Sequence, residues 1–326
     1  MAENSTIEWT DHTWSPWIGC TKVSPACDGC YAEHLMDTRL GRVEWGPHGE
    51  RSRTSAAYWH QLVKWNREAK AAGKILRIFP SLCDPWDNQA DPGIRREWFA
   101  LMRETPNLLY LLLSKRPQNA IAMAEAAGGL PTNVALGATC EDQRRLELNV
   151  LPLLEAAHRL RPAYTFLSLE PLLGPTNLRW IKVGPGVHLD ALTGQFTAKA
   201  EFAGGLANFQ AGLDALPPLP ERRPAIGHVI TGGETSQGSH NARPSHLDWY
   251  RAARDQCAAV GTPYLHKQNG DWIEAGPHLR GEFVSSDPSI DPIHDSRWAF
   301  MAPVGKKAAG RLLDGRTHDG MPEVRP

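Results

Sequence analysis

The chain has 326 residues, with 35 Lys and Arg against 36 Asp and Glu, and six cysteines. A net charge near zero gives no global field for or against nucleic acid, so contact with a polyanion has to come from a local basic patch. Six cysteines are too few for a disulfide scaffold at this length and their clustering points to a metal in a reducing compartment. No basic-plus-apolar leader occurs at Met1–Thr6 and no apolar run is long enough to span a bilayer, so the expectation is a cytoplasmic protein with no membrane partner.

Residues 1–19 are polar, aromatic and turn-rich, and Pro16 biases Ser15 toward an extended backbone. A short strand or extended run therefore leads into Cys20. Cys20, Cys27 and Cys30 lie within eleven residues, with Pro25 and Gly29 to bend the chain and no fourth cysteine nearby. A closed structural zinc site takes four protein ligands, whereas a site built for chemistry keeps one position open. Thiolates packed this closely also hold iron–sulfur clusters. Two metal readings follow: a three-cysteine 4Fe–4S cluster with one iron free for a small molecule, or a zinc ion completed by His34 or His12.

A helix is expected from Tyr31 to near Gly41 and another over 55–72. A regular rhythm then begins. Apolar runs at 75–79, 108–113, 134–137, 164–169, 226–231 and 262–266 alternate with helix-length segments ending near 104, 127, 158 and 260. Residues 175–225 interrupt it with Gly and Pro and read as an insertion carrying a hairpin and a short helix. Short near-continuous apolar runs between helices indicate βα units and a parallel sheet buried on both faces. With the strand before Cys20 the count is about seven, within the six to eight of a partial or complete (β/α) barrel resembling a TIM barrel. Residues 1–270 form that barrel in this reading, and 271–326 an irregular C-terminal extension packed on it. A doubly wound sheet is the alternative, without the Gly-x-Gly-x-x-Gly of a dinucleotide site.

Barrels of this kind place their chemistry at the C-terminal strand ends. Here those ends carry the three cysteines, Asp84, Lys115 with Arg116, Glu141 with Asp142, Glu170, Gly232–Gly233–Glu234, and Lys267 with Gln268. Asp84 and Glu170 suit ribose hydroxyls or acid–base work. Lys115 and Arg116 suit a carboxylate or phosphate, and Asp84, Lys115 and Glu170 are the catalytic candidates. Gly232 and Gly233 offer backbone amides to a ligand carboxylate, with Glu234 accepting from an amine. Cys83, Cys140 and Cys257 read as packing residues. Of the twelve tryptophans, Trp9, Trp14, Trp17 and Trp86 are either packing residues or faces on which a planar ligand stacks.

The run Trp14–Cys20, with Val23–Glu33, resembles the opening of a phage-associated family of three-cysteine proteins. So do Leu113–Pro117, Gly137–Gln143, Leu169–Gly174, Gly232–Glu234, His266–Gln268 and Gly305–Arg316. That family is similar to radical S-adenosylmethionine enzymes. The resemblance implies a partial (β/α) barrel, a 4Fe–4S cluster on Cys20, Cys27 and Cys30, and S-adenosylmethionine at the open iron. The cofactor would be cleaved on reduction to a 5′-deoxyadenosyl radical, with an electron donor as partner. Lys115, Arg116, Glu170 and Gly232–Glu234 become the cofactor-binding candidates. The spacing here is x6 then x2 where that superfamily has x3 then x2, and Gly-Gly-Glu follows the sixth strand instead of the second. Similarity to DNA-lesion lyases of the superfamily implies a lyase or transferase acting on DNA, RNA or a nucleoside, in modification or lesion repair. Lys306, Lys307, Arg311 and Arg316 would then contact phosphate, or simply form a solvated helix end. The other reading is a non-catalytic nucleic-acid-binding protein stabilised by zinc or a cluster.

Overall fold

The computed structural model of the protein describes residues 3–198, 224–287 and 297–324. Seven strands form its main sheet: β1 (His12–Thr13), β2 (Leu76–Phe79), β3 (Leu108–Ser114), β4 (Val134–Thr139), β5 (Thr165–Leu169), β6 (His228–Gly232) and β7 (Tyr264–Gln268). All six pairings are parallel and the spatial order is the sequence order. A doubly wound sheet needs that order to reverse. Right-handed crossovers that never reverse keep their connections on one face. The sheet curls away from that face into a partial (β/α) barrel.

Helices α1 (Ala56–Ala71), α2 (Pro92–Glu104), α3 (Ala120–Ala126), α4 (Gln143–Leu160) and α5 (Leu247–Ala258) cover the convex face. Three starts are fixed by side chains: the Asp91 carboxylate accepts from Gly93 N, that of Asp142 from Arg145 N, and His246 Nδ1 from Asp248 N. Strand alternation makes two cores. Leu108, Tyr110 and Leu112 of β3 face the helices, whereas Leu109 and Leu111 join Ala135, Phe166, Ile230, Leu265 and Trp9 on the concave side. Both faces are dry, so the strands read as unbroken apolar runs.

The candidate tryptophans are packing residues, and none offers a free face to a ligand. Trp9 closes the floor of the barrel against Phe79, with ring centroids 4.5 Å apart. Trp14, Trp17 and Trp86 are buried behind the sheet against Trp98 and Phe99.

Between β5 and β6 the chain forms an antiparallel meander, Ile181–Gly184, Val187–Asp190 and Gln195–Ala198. Its Ile181 and Leu189, with Leu178 just before it, enter the convex core where a crossover helix would otherwise pack. The short helix expected in this insertion lies outside the described residues. After β7 comes a second antiparallel sheet of Trp272–Glu274, Trp298–Pro303 and Glu282–Ser285. The chain then returns along the open edge of β7. Asn269 N donates to Gly310 O, His266 N to His318 O and Gly320 N to Tyr264 O. Met321 and Val324 finally pack into the concave core. Among the described residues no helix is long and apolar enough to cross a membrane.

Candidate functional site

The cysteine loop lies over the C-terminal ends of the strands. Gly19 pairs with Cys83 beyond β2, which brings Cys20 to that end. Pro25–Cys27 form a 3-10 turn, and a helix starts at Tyr31 and widens into a π-helical turn over His34–Arg39. Such turns recur at functional sites. Cys27 is buried; Cys20 and Cys30 are partly exposed.

Three arginines hold alternate carbonyls of this loop. Arg116 donates to Thr21 O at 2.7 Å, Arg145 to Val23 O at 2.7 Å, and Arg243 to Pro25 O at 2.8 Å. Each is paired with a carboxylate from the end of an even-numbered strand: Arg116 with Asp84 at 3.0 Å, Arg145 with Glu141 at 3.5 Å, Arg243 with Glu234 at 2.6 Å. Asp84 also accepts from Ser114 Oγ, Lys115 N and Trp86 N, so both its oxygens are engaged. Glu234 accepts from the Arg243 backbone and from both forks of its guanidinium. Burial pushes the Glu234 pKa up, but these Arg243 contacts outweigh it and hold the carboxyl below its ordinary value. Asp84, Arg116 and Glu234, three of the sequence candidates, are thus brought to the site as the scaffold of the loop.

Gly232 and Gly233 also have structural neighbours. A Cβ on Gly232 would lie 3.1 Å from the Glu170 carboxyl carbon, and one on Gly233 only 2.2 Å from Asn269 O. The first leaves room for a side chain and the second lets two strand-end backbones touch.

The odd-numbered strands supply a different set. Lys115, Glu170 and Lys267 continue the concave-facing register of Leu113, Phe166 and Leu265. Glu170 is paired with Lys267 across Gly232. Lys115 makes no ion pair among the described residues. Burial alone would lower its pKa, yet the Cys27 and Cys30 thiols, Asp84 and Glu141 around it hold the ammonium above the ordinary lysine value. Glu141 is fully buried, and one oxygen accepts weakly from Ala26 N at 3.4 Å while the other, Oε2, has no hydrogen-bond partner among the described residues.

The Cys20 thiol is pushed up to about 12 by burial, with Asp84 adding to the shift and Arg116 opposing it at 3.5 Å from Sγ. Burial also raises Cys30, against the Glu33 and Ala32 backbone N–H groups and Lys115. Thiols in this state must lose their protons to a metal on binding. The donor set fits an iron–sulfur cluster: three thiols on one loop, with a guanidinium at Cys20 and an ammonium beside Cys27 and Cys30 to balance thiolate charge. Among the described residues no three Cys, His, Asp or Glu side chains converge to hold a single metal ion. A cluster asks for less convergence, because each thiolate binds its own iron.

Neither zinc-ligand histidine lies with the thiols as a fourth donor. His12 belongs to the convex layer, stacked on Trp65 at 4.2 Å with Nδ1 accepting from Asn4 N. The His34 ring packs against Gly238. Cys140 and Cys257 are buried in the convex core and Cys83 packs against it. Of the C-terminal cations, Arg311 donates to His266 O and pairs with Asp319, while Lys306, Lys307 and Arg316 are exposed. Arg145 and Arg243 escaped sequence reasoning: each is one arginine among many on a helix or loop, with no local signal tying it to the cysteines.

A comparison with curated proteins gives no match. Among solved structures, a mutant of spore photoproduct lyase aligns at 10% sequence identity with a TM-score of 0.41, covering 93% of this chain and 71% of that one. The family model described as "Protein of unknown function (DUF5131)" matches residues 4–322, nearly the whole chain, and the protein belongs to that family.

Proposed function

We propose that the protein is an iron–sulfur enzyme of the radical S-adenosylmethionine type that acts on a nucleic acid or a nucleoside. The observation that carries this is one loop with three thiols across the mouth of a partial barrel, held by three arginines beside the uncommitted Lys115 ammonium. Cys20, Cys27 and Cys30 hold the 4Fe–4S cluster. Bound there, the cluster supplies one electron for reductive cleavage of S-adenosylmethionine, and an external electron donor replaces it. Lys115 receives the cofactor carboxylate as a point charge, and Glu170, steadied by Lys267, accepts hydrogen bonds from ligand hydroxyls. The apolar concave wall of Leu111, Phe166 and Ile230 keeps water from the reacting carbon.

Anaerobically purified protein is expected to contain iron and sulfide, to absorb in the visible, and to release 5′-deoxyadenosine with reductant and S-adenosylmethionine. Ala at Cys20, Cys27 or Cys30 removes the iron, whereas Cys257→Ala, in the core of α5, retains it. Zinc in place of iron, or equal iron in all four variants, overturns the ligand assignment. A cluster without 5′-deoxyadenosine favours the non-catalytic nucleic-acid-binding protein.

A further inference from the structure

Beside the cysteine loop lies a cleft of about 630 Å³, with Thr21 and Val23 of the loop as one wall. The turn after β3 and the first turns of α4 form much of the rest. Three cations line it, Lys115, Arg116 and Arg145, with no carboxylate among the described lining residues, although the chain carries a net charge of −1. Asp84 and Glu141 stand behind the two arginines and neutralise part of that charge; with Lys115 turned to the cofactor carboxylate, Arg145, the more exposed of the two guanidiniums, is the cation left to meet a phosphate. The lining also carries amides, including exposed Asn88 and Gln118, that donate and accept hydrogen bonds. Val23 and Leu148, 36% and 51% exposed, add aliphatic surface. No aromatic ring is among the described lining residues, so the cleft is not a stacking platform.

Cations for a phosphate, amides for polar edges and aliphatic surface for a sugar or base match one chemical class. We propose that this cleft takes a phosphorylated unit of a nucleic-acid strand and delivers the strand to the cysteine loop at Thr21–Val23. This rests on the reading above that the substrate is nucleic acid, and adds where the strand is gripped. Phosphate contacts set position, and the amides then touch the base edge.

The test is fluorescence anisotropy with a short labelled single strand of DNA or RNA and the full-length, iron-loaded protein at two salt concentrations. Gln118→Glu and Leu148→Glu place a carboxylate in the lining without touching any loop contact, and each is expected to weaken binding about tenfold. Asn88→Lys is expected to tighten binding and steepen its salt dependence. Val63→Glu, on the exposed face of α1, serves as the control and leaves affinity unchanged. No binding by the unaltered protein, equal affinity in all variants, or full displacement by equimolar tripolyphosphate each overturns the proposal. Iron content and visible absorption of the same samples report on the cluster separately. Binding that follows the variants in a protein without iron keeps the cleft and sinks the cluster; an intact cluster with variant-blind binding does the reverse.

Discussion

Arg243 donates to the Pro25 carbonyl and to both oxygens of Glu234, a carboxylate that is 5% exposed. Arg243→Ala therefore frees one third of the loop's clamp and strands a largely buried charge. The expected loss is about 2 kcal/mol in urea unfolding, together with faster modification of Cys27 by a thiol reagent. Arg243→Lys keeps the charge but cannot serve three acceptors from one plane, so it rescues only part of the labelling effect. Labelling rates equal to those of the unaltered protein would show that the clamp does not order the loop. At this scale the residue types at the site were legible in the sequence, but their division of labour was not. Asp84 and Glu234 look like ligand-binding acids until their oxygens are counted against Ser114, Trp86 and Arg243.

Among the elements, β6, β7 and the returning C-terminal segment form a seam joined by two buried histidines. His228 Nε2 donates to Gly320 O at 3.0 Å, and His266 bridges Thr231 Oγ1 and Asn269 Oδ1. Burial is the largest cause that lowers both, to about 4 in each case. An unfolded histidine titrates near 6.5. Between about 4 and 6.5 the unfolded chain binds the extra protons, so stability rises with pH across that window and is lost as pH falls through it. Protection of the His266 and Gly320 amides, corrected for intrinsic exchange, is expected to fall over the same range. A protection profile flat in pH contradicts the seam. Six of the seven strands were legible one by one because each is a short apolar run closed by polar residues. β1 was not, because it is the polar pair His12–Thr13, while Trp17–Ile18 of the extended run before Cys20 pairs with Ser52–Arg53 outside the main sheet. The seam was not, because Gly320 and Tyr264 are far apart in sequence and meet only through the return of the chain.

For the molecule as a whole, an open-edged half barrel has an aggregation hazard at β7, whose outer backbone groups would template another strand. The segment His318–Gly320 occupies them. A chain ended at Thr317 is expected to self-associate in size-exclusion chromatography while keeping its helix content; a monomer would show that the edge is protected by other means. The sequence by itself determined the architecture and the position of the thiols. Short apolar runs alternating with helix-length segments mark the βα units, and Pro and Gly fix where the loop turns. Only the tertiary structure decided what holds the loop and what remains free to meet a ligand. The carbonyls of Thr21, Val23 and Pro25 find arginines 95, 122 and 218 residues away. Only the sequential curl of the sheet puts those strand ends around one axis, with even-numbered strands clamping the loop and odd-numbered strands facing the interior.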